Sequence, residues 1–121
     1  MHNLKVKVTA IDKSNDTIEF NNGIKLFSYH LPECCEHHYL SLADLTMSDF
    51  EGLEFDLSND NFFDRIVGYG IALKPINGYP VRIPGYGSNN GYYSPDLTLV
   101  LTNGNDFARS YSITECQDID I

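Results

Sequence analysis

A chain of 121 residues with 42% hydrophobic and 21% charged residues has the composition of one globular domain, 1–121, long enough to bury a self-standing core. Its net charge of −9 excludes a general nucleic-acid binder, because Lys and Arg facing phosphates supply most of that affinity. The longest apolar run, Leu97 to Leu101, falls far short of a membrane span, so no membrane partner is expected.

Leu4-Lys5-Val6-Lys7-Val8 alternates apolar and polar residues, the period of a half-buried strand. Lys13 to Asp16 is turn chemistry, and Thr17-Ile18-Glu19-Phe20 resumes the alternation. Asn21-Asn22-Gly23 gives the Asn-Gly signal of a tight hairpin, in which both central residues take positive φ. With Ile24 to Tyr29, residues 4 to 29 are predicted as a three-stranded meander.

Pro32 to Tyr39, "PECCEHHY", gathers two thiols, two carboxylates and two imidazoles. Adjacent cysteines in an extended segment point to opposite faces, which suits a tetrahedral metal site poorly. His2, His30 and Cys116 are the other candidate ligands, and a set such as His30, Cys35, His37 and Cys116 requires the strands to pair accordingly. Thiol catalysis is disfavoured because the surrounding acids raise a thiol pKa. The default is that Cys34 and Cys35 pack as small hydrophobes, with no metal and no cofactor assigned. The odd cysteine count and the absence of a signal-peptide core at the start predict a cytoplasmic protein, in the host cell if phage-encoded.

Ser48-x-x-Glu51 reads either as a capping box for a helical turn closed by Gly52 or as a polar turn. Leu53 to Leu57 is a strand with an acidic outer face. Phe62, Phe63, Ile66 and Val67 fit a helical stripe over 62–67 that ends at Gly68, while Ile66-Val67 also suits entry into a strand. Ile76-Asn77-Gly78 signals a second hairpin between Gly70–Lys74 and Tyr79–Ile83. Pro75, Pro80 and Pro84 lack a donor, which predicts short or edge strands there. Asp96 to Leu101 is the strongest strand, and Asn103-Gly104 turns it back into Phe107 to Cys116. The expected fold is mostly β (α+β): an antiparallel sheet of hairpins with one or two short helices.

Two segments carry the functional signal. Residues 33–64 hold nine acids and no Lys or Arg, an acidic face suited to a basic protein partner. Ile83 to Pro95 is rich in Gly, Asn and Tyr and carries no charged residue. Tyr supplies flat apolar faces and Asn adaptable amides, a mixture that stacks on a planar ring and bonds its edge. Tyr86, Asn89, Asn90, Tyr92 and Tyr93 are the candidate wall of a ligand site, with Arg82 and Arg109 as anion partners. The alternative is that Asn90-Gly91 is only another hairpin turn. The segment is neither a P-loop nor a dinucleotide fingerprint, because no Gly-Lys-Ser/Thr follows and no helix is expected next.

Cys34-Cys35-Glu36, Asp44-Leu45, Gly52 and Asn90-Gly91-Tyr92-Tyr93-Ser94, over about residues 32 to 101, resemble a family of small uncharacterised proteins of phages and bacterial mobile elements. The chain departs from that pattern at Asn89, and His37-His38 lie outside it. The family brings no established activity with it; a stoichiometric role against host defence is expected only by analogy with other small phage proteins. The leading expectation is a non-enzymatic protein that sequesters a small polar, nucleotide-like ligand. The alternatives are an acidic inhibitor of a basic nucleic-acid-binding effector, of the anti-CRISPR kind, and a metal-dependent enzyme built on the Cys/His cluster. Exposed strand edges add the expectation of a homodimer.

Overall fold

Alternating apolar and polar residues, rather than helical stripes, build this protein. The computed structural model describes residues 4–29, 37–58, 60–88, 97–105, 107–116 and 118–119. The strands are β1 (Lys5–Val6), β2 (Val8–Asp12), β3 (Thr17–Phe20), β4 (Lys25–Tyr29), β5 (His37–Leu40) and β6 (Phe55–Asp56). They continue as β7 (Phe63–Ile66), β8 (Gly70–Leu73), β9 (Val81–Ser88), β10 (Thr98–Thr102), β11 (Ala108–Ser112) and β12 (Asp118–Ile119).

One sheet has the order β11-β10-β4-β3-β2, all antiparallel. A second has the order β12-β9-β8-β7, with β5 also paired to β9, and β1 pairs with β6. The β12–β9 pair is parallel. Leu99 and Leu101 of β10 are fully buried, while Thr98, Val100 and Thr102 between them are half-buried, which is the pleat of a sheet covered on one face. Ile18, Phe20 and Leu26 from the first sheet join Leu40, Phe63, Ile71, Leu73 and Ile83 from the second in one apolar cluster. Burying each such side chain contributes about 1.5–3 kcal/mol.

The meander is present, with its first strand displaced. Val6 and Val8 both face inward, as the alternation requires, but the chain changes partner between them. Lys5–Val6 pairs with β6, and only from Val8 onward does it pair with β3, through a register shift between Val8 and Ala10. The Asn21-Asn22-Gly23 turn is not the tight form. Only Gly23 takes positive φ, at 88°, and Gly23 N donates to Phe20 O at 3.1 Å. That is a wider turn ending in a left-handed glycine, tied by Ile24 N donating to Asn22 Oδ1 at 3.1 Å.

The helix expected over 62–67 is a strand. Asp60–Phe62 form one 3-10 turn, and Phe63–Ile66 is β7, paired residue for residue with β8. Its apolar spacing fits either period, and the apolar strand β8, buried along all four residues, decides it. Gly68, expected to stop the helix, instead turns β7 into β8 at φ 75°. Two further 3-10 turns are Thr114–Cys116, where the strand expected to run to Cys116 has already ended at Ser112, and Met47–Phe50, whose cap is Thr46, not Ser48: Thr46 N donates to Asp49 Oδ2 at 2.8 Å. Gly52 follows with φ 75°.

The proline rule fails at one strand. Pro84 lies inside β9, an eight-residue strand with partners on both edges. Pairing with β8 ends at Gly70 opposite Pro84, and pairing with β5 begins at Leu40 opposite Gly85. The missing N–H therefore falls where one partner hands over to the other. Gly85 N donates to Tyr69 O, and Pro84 O accepts from Ser41 N at 2.9 Å. Gly70 fits this crossing because a β carbon there would run into the Ile83 carbonyl oxygen and the Gly85 nitrogen.

Candidate functional site

β9 carries the described part of the expected ligand site. Ile83 points into the core, so Arg82 and Tyr86 stand on the opposite, exposed face. Tyr39 of β5 lies directly across from Tyr86, with ring centroids 6.0 Å apart and both rings partly exposed. Asn89, Asn90, Tyr92 and Tyr93 lie outside the described residues, as do His30, Cys34, Cys35 and Glu36. The β5–β9 ladder ends with His37 opposite Ser88, directly after Glu36 and directly before Asn89 in sequence. Arg109 is not brought to this face. It stands on β11 in the other sheet.

Arg82 also lines a concavity of about 460 Å³ between the Met47–Phe50 turn and the start of β9. Its wall is Leu45, Leu53, Tyr79, Pro80 and Val81, and its rim is Asp44, Asp49 and Glu51. A side-chain clamp shapes it. Asn77 Nδ2 donates to Gly52 O at 2.8 Å, Asn77 Oδ1 accepts from Glu54 N at 2.8 Å, and Ile76 N donates to Glu54 O at 2.8 Å. Gly78 lies so close that a β carbon would meet Leu53 Cδ2 at 2.5 Å. Tyr79, just past the clamp, is 90% exposed.

The acids on this rim differ in what they do. Asp49 is committed to Thr46. The Asp44 and Glu51 carboxylates make no hydrogen bond or ion pair among the described residues, and neither does the Arg82 guanidinium. Two unpartnered carboxylates, an apolar wall and a projecting tyrosine suit a cationic side chain with an aliphatic stem. The acidic block is legible in the sequence. Tyr79 is the residue that sequence reasoning missed, and its flanking Asn-Gly turn and Pro80 are the local signal that could have found it.

Arg109 serves a different flank. Its Nη1 donates to Leu57 O at 2.9 Å and lies 3.9 Å from Asp60 Oδ1, and its guanidinium sits 5.1 Å over the Phe107 ring. Tyr111 OH donates to Asp60 Oδ1 at 2.7 Å. Burial, then the Asp60 carboxylate, raises the Tyr111 pKa above its ordinary 10.0. The Tyr111 ring packs edge-on against Phe62 and Phe63, at 5.6 and 5.2 Å.

Cys116 is fully buried in the core. Among the described residues no three His, Cys, Asp or Glu side chains form a group able to hold a metal ion, and no helix is long and apolar enough to cross a membrane. Comparison with protein-family models, curated proteins and solved structures finds no match to this chain.

Proposed function

We propose that this protein is a non-enzymatic binding module whose acidic concavity receives a basic segment of a protein partner. The observation that carries this is the convergence of Asp44 and Glu51, whose carboxylates have no partner among the described residues, with the exposed Tyr79 over an apolar wall. A phosphate-bearing ligand at Arg82 would meet those same carboxylates, which costs affinity. The resemblance to phage and mobile-element proteins directs the search to basic, nucleic-acid-binding effectors of host defence. Fluorescence anisotropy with an Arg/Lys-rich peptide tests the reading. Binding should weaken as salt rises and vanish in the Asp44→Lys/Glu51→Lys double variant. Affinity indifferent to both sinks it.

A second reading is favoured by the Tyr39–Tyr86 pair with Arg82 on the same face of β9. There the protein sequesters a small polar, nucleotide-like ligand by stacking and anion pairing. A thermal-shift screen over nucleotides checks it: a rise in Tm that disappears in Tyr86→Ala supports sequestration, and no shift with any nucleotide removes it.

A further inference from the structure

We infer that the flank built on Asp60, Arg109 and Tyr111 is a second binding site, one that takes a neutral ligand bearing adjacent hydroxyl groups, such as a sugar ring. Ser58, Asp60, Arg109, Ser110 and Tyr111 line an open concavity of about 510 Å³ there, apart from the acidic one.

Its polar groups are held before any ligand arrives. Tyr111 OH fixes Asp60 Oδ1 at 2.7 Å, and the Tyr111 ring is itself fixed by Phe62 and Phe63. Asp60 nevertheless stays 74% exposed, so its carboxylate still has acceptor capacity facing solvent. Arg109 is positioned by Leu57 O and the Phe107 ring rather than by Asp60, which lies 3.9 Å away. The guanidinium has five N–H donors and the Leu57 carbonyl takes one of them.

A fixed acceptor beside a fixed donor complements two neighbouring hydroxyls, one donating to the carboxylate and one accepting from the guanidinium. The Ser110 hydroxyl extends the same pattern, and the Ser58 hydroxyl, whose proton goes to Asp56, adds an acceptor. The charges of Asp60 and Arg109 cancel locally, so neither a phosphate nor an ammonium group is favoured over a neutral polyol. Prior ordering of both groups lowers the entropy lost on binding.

The diol has two sources, a free or glycan sugar and the ribose of a nucleoside. NMR titration of the full chain with methyl glucoside, adenosine and 2′,3′-dideoxyadenosine separates them. Shifts at the Ser58, Ser110 and Tyr111 amides with both diols, and none with the dideoxy compound, are expected. Shifts with adenosine alone assign the site to ribose, and shifts with the glucoside alone assign it to glycans. Asp60→Asn should weaken binding about tenfold or more, and Tyr111→Phe, which keeps the ring but frees Asp60, should weaken it less. Unchanged Tm in Asp60→Asn would show that a loss of binding is not a loss of fold. Absence of shifts with every diol, or equal shifts with the dideoxy compound, overturns the inference.

Discussion

The two flanks of this molecule use charge in opposite ways. At the β7–β11 flank, cations are turned inward onto the chain. Arg109 bonds the Leu57 carbonyl, Arg65 Nε donates to Ser112 O at 3.0 Å, and Lys74 pairs with Asp64 at 3.2 Å. At the opposite flank, the Asp44 and Glu51 carboxylates face solvent without partners among the described residues. The contrast teaches that the net charge of −9 is not spread evenly in effect. Most of these cations bond backbone carbonyls or single acids, and the acidic concavity keeps three carboxylates against the one guanidinium of Arg82.

The largest test of that contrast is Phe63→Ala. Phe63 is buried against Phe62, Tyr111 and the Arg65 guanidinium, and its removal should cost about 3–5 kcal/mol in a denaturant melt. Arg109→Ala follows, with an expected loss of about 1–3 kcal/mol, because Leu57 O loses its charged donor and Phe107 its cation. Equal stability in that variant would mean that the arginines do not hold this flank closed. On the acidic flank, Tyr79→Ala and Asp44→Ala should each move stability by no more than about 0.5 kcal/mol while weakening a basic peptide in the same anisotropy assay.

The smallest expected effect is a pH dependence. Ser58, through its side chain and then its backbone N–H, holds the Asp56 carboxyl below its ordinary 3.8. A depressed folded value means stability that is present above pH 3.8 and is lost as the pH falls through the lower, folded value. Asp12 behaves alike, chiefly through the Asn15 side chain. Acid titration of Asp56→Asn should therefore show a shallower decline below pH 3.8 than the parent, and an identical curve would remove Ser58 from the account.

What the sequence reveals depends on whether the cause is local. Asn103-Gly104 and Ile76-Asn77-Gly78 both mark real connections between paired strands; at the first the cause is local, since Asn103 Oδ1 accepts from Asn105 N and Phe107 N of its own turn. The alternation at Leu4 to Val8 is right about which side faces inward, yet it carries no information about partners, and the partner changes at Lys7. Phe62 to Val67 satisfies two periods at once, and only β8 settles it. Pro84 predicts a short or edge strand, yet it lies inside the eight-residue β9, because its missing N–H falls where pairing passes from β8 to β5. The acids of the concavity are legible one by one. Their meeting with Tyr79 is not, because it depends on the clamp from Asn77 to Gly52 and Glu54.

β9 has one more consequence, and it concerns time. Its partners arrive from both directions along the chain: β5 from well before it, β8 from just before it, and β12 from well after it. In the other sheet β10 waits likewise for β4, with Thr98 opposite Tyr29. Such a high contact order means slow folding, because the loop entropy of each distant pairing is lost before its contacts form. The β8–β9 and β10–β11 hairpins are the natural early nuclei, and the β5 and β12 ladders close last. Refolding monitored by hydrogen exchange should thus protect the Leu73 and Leu99 amides before that of Ser41, which donates to Pro84 O beside the β5 ladder.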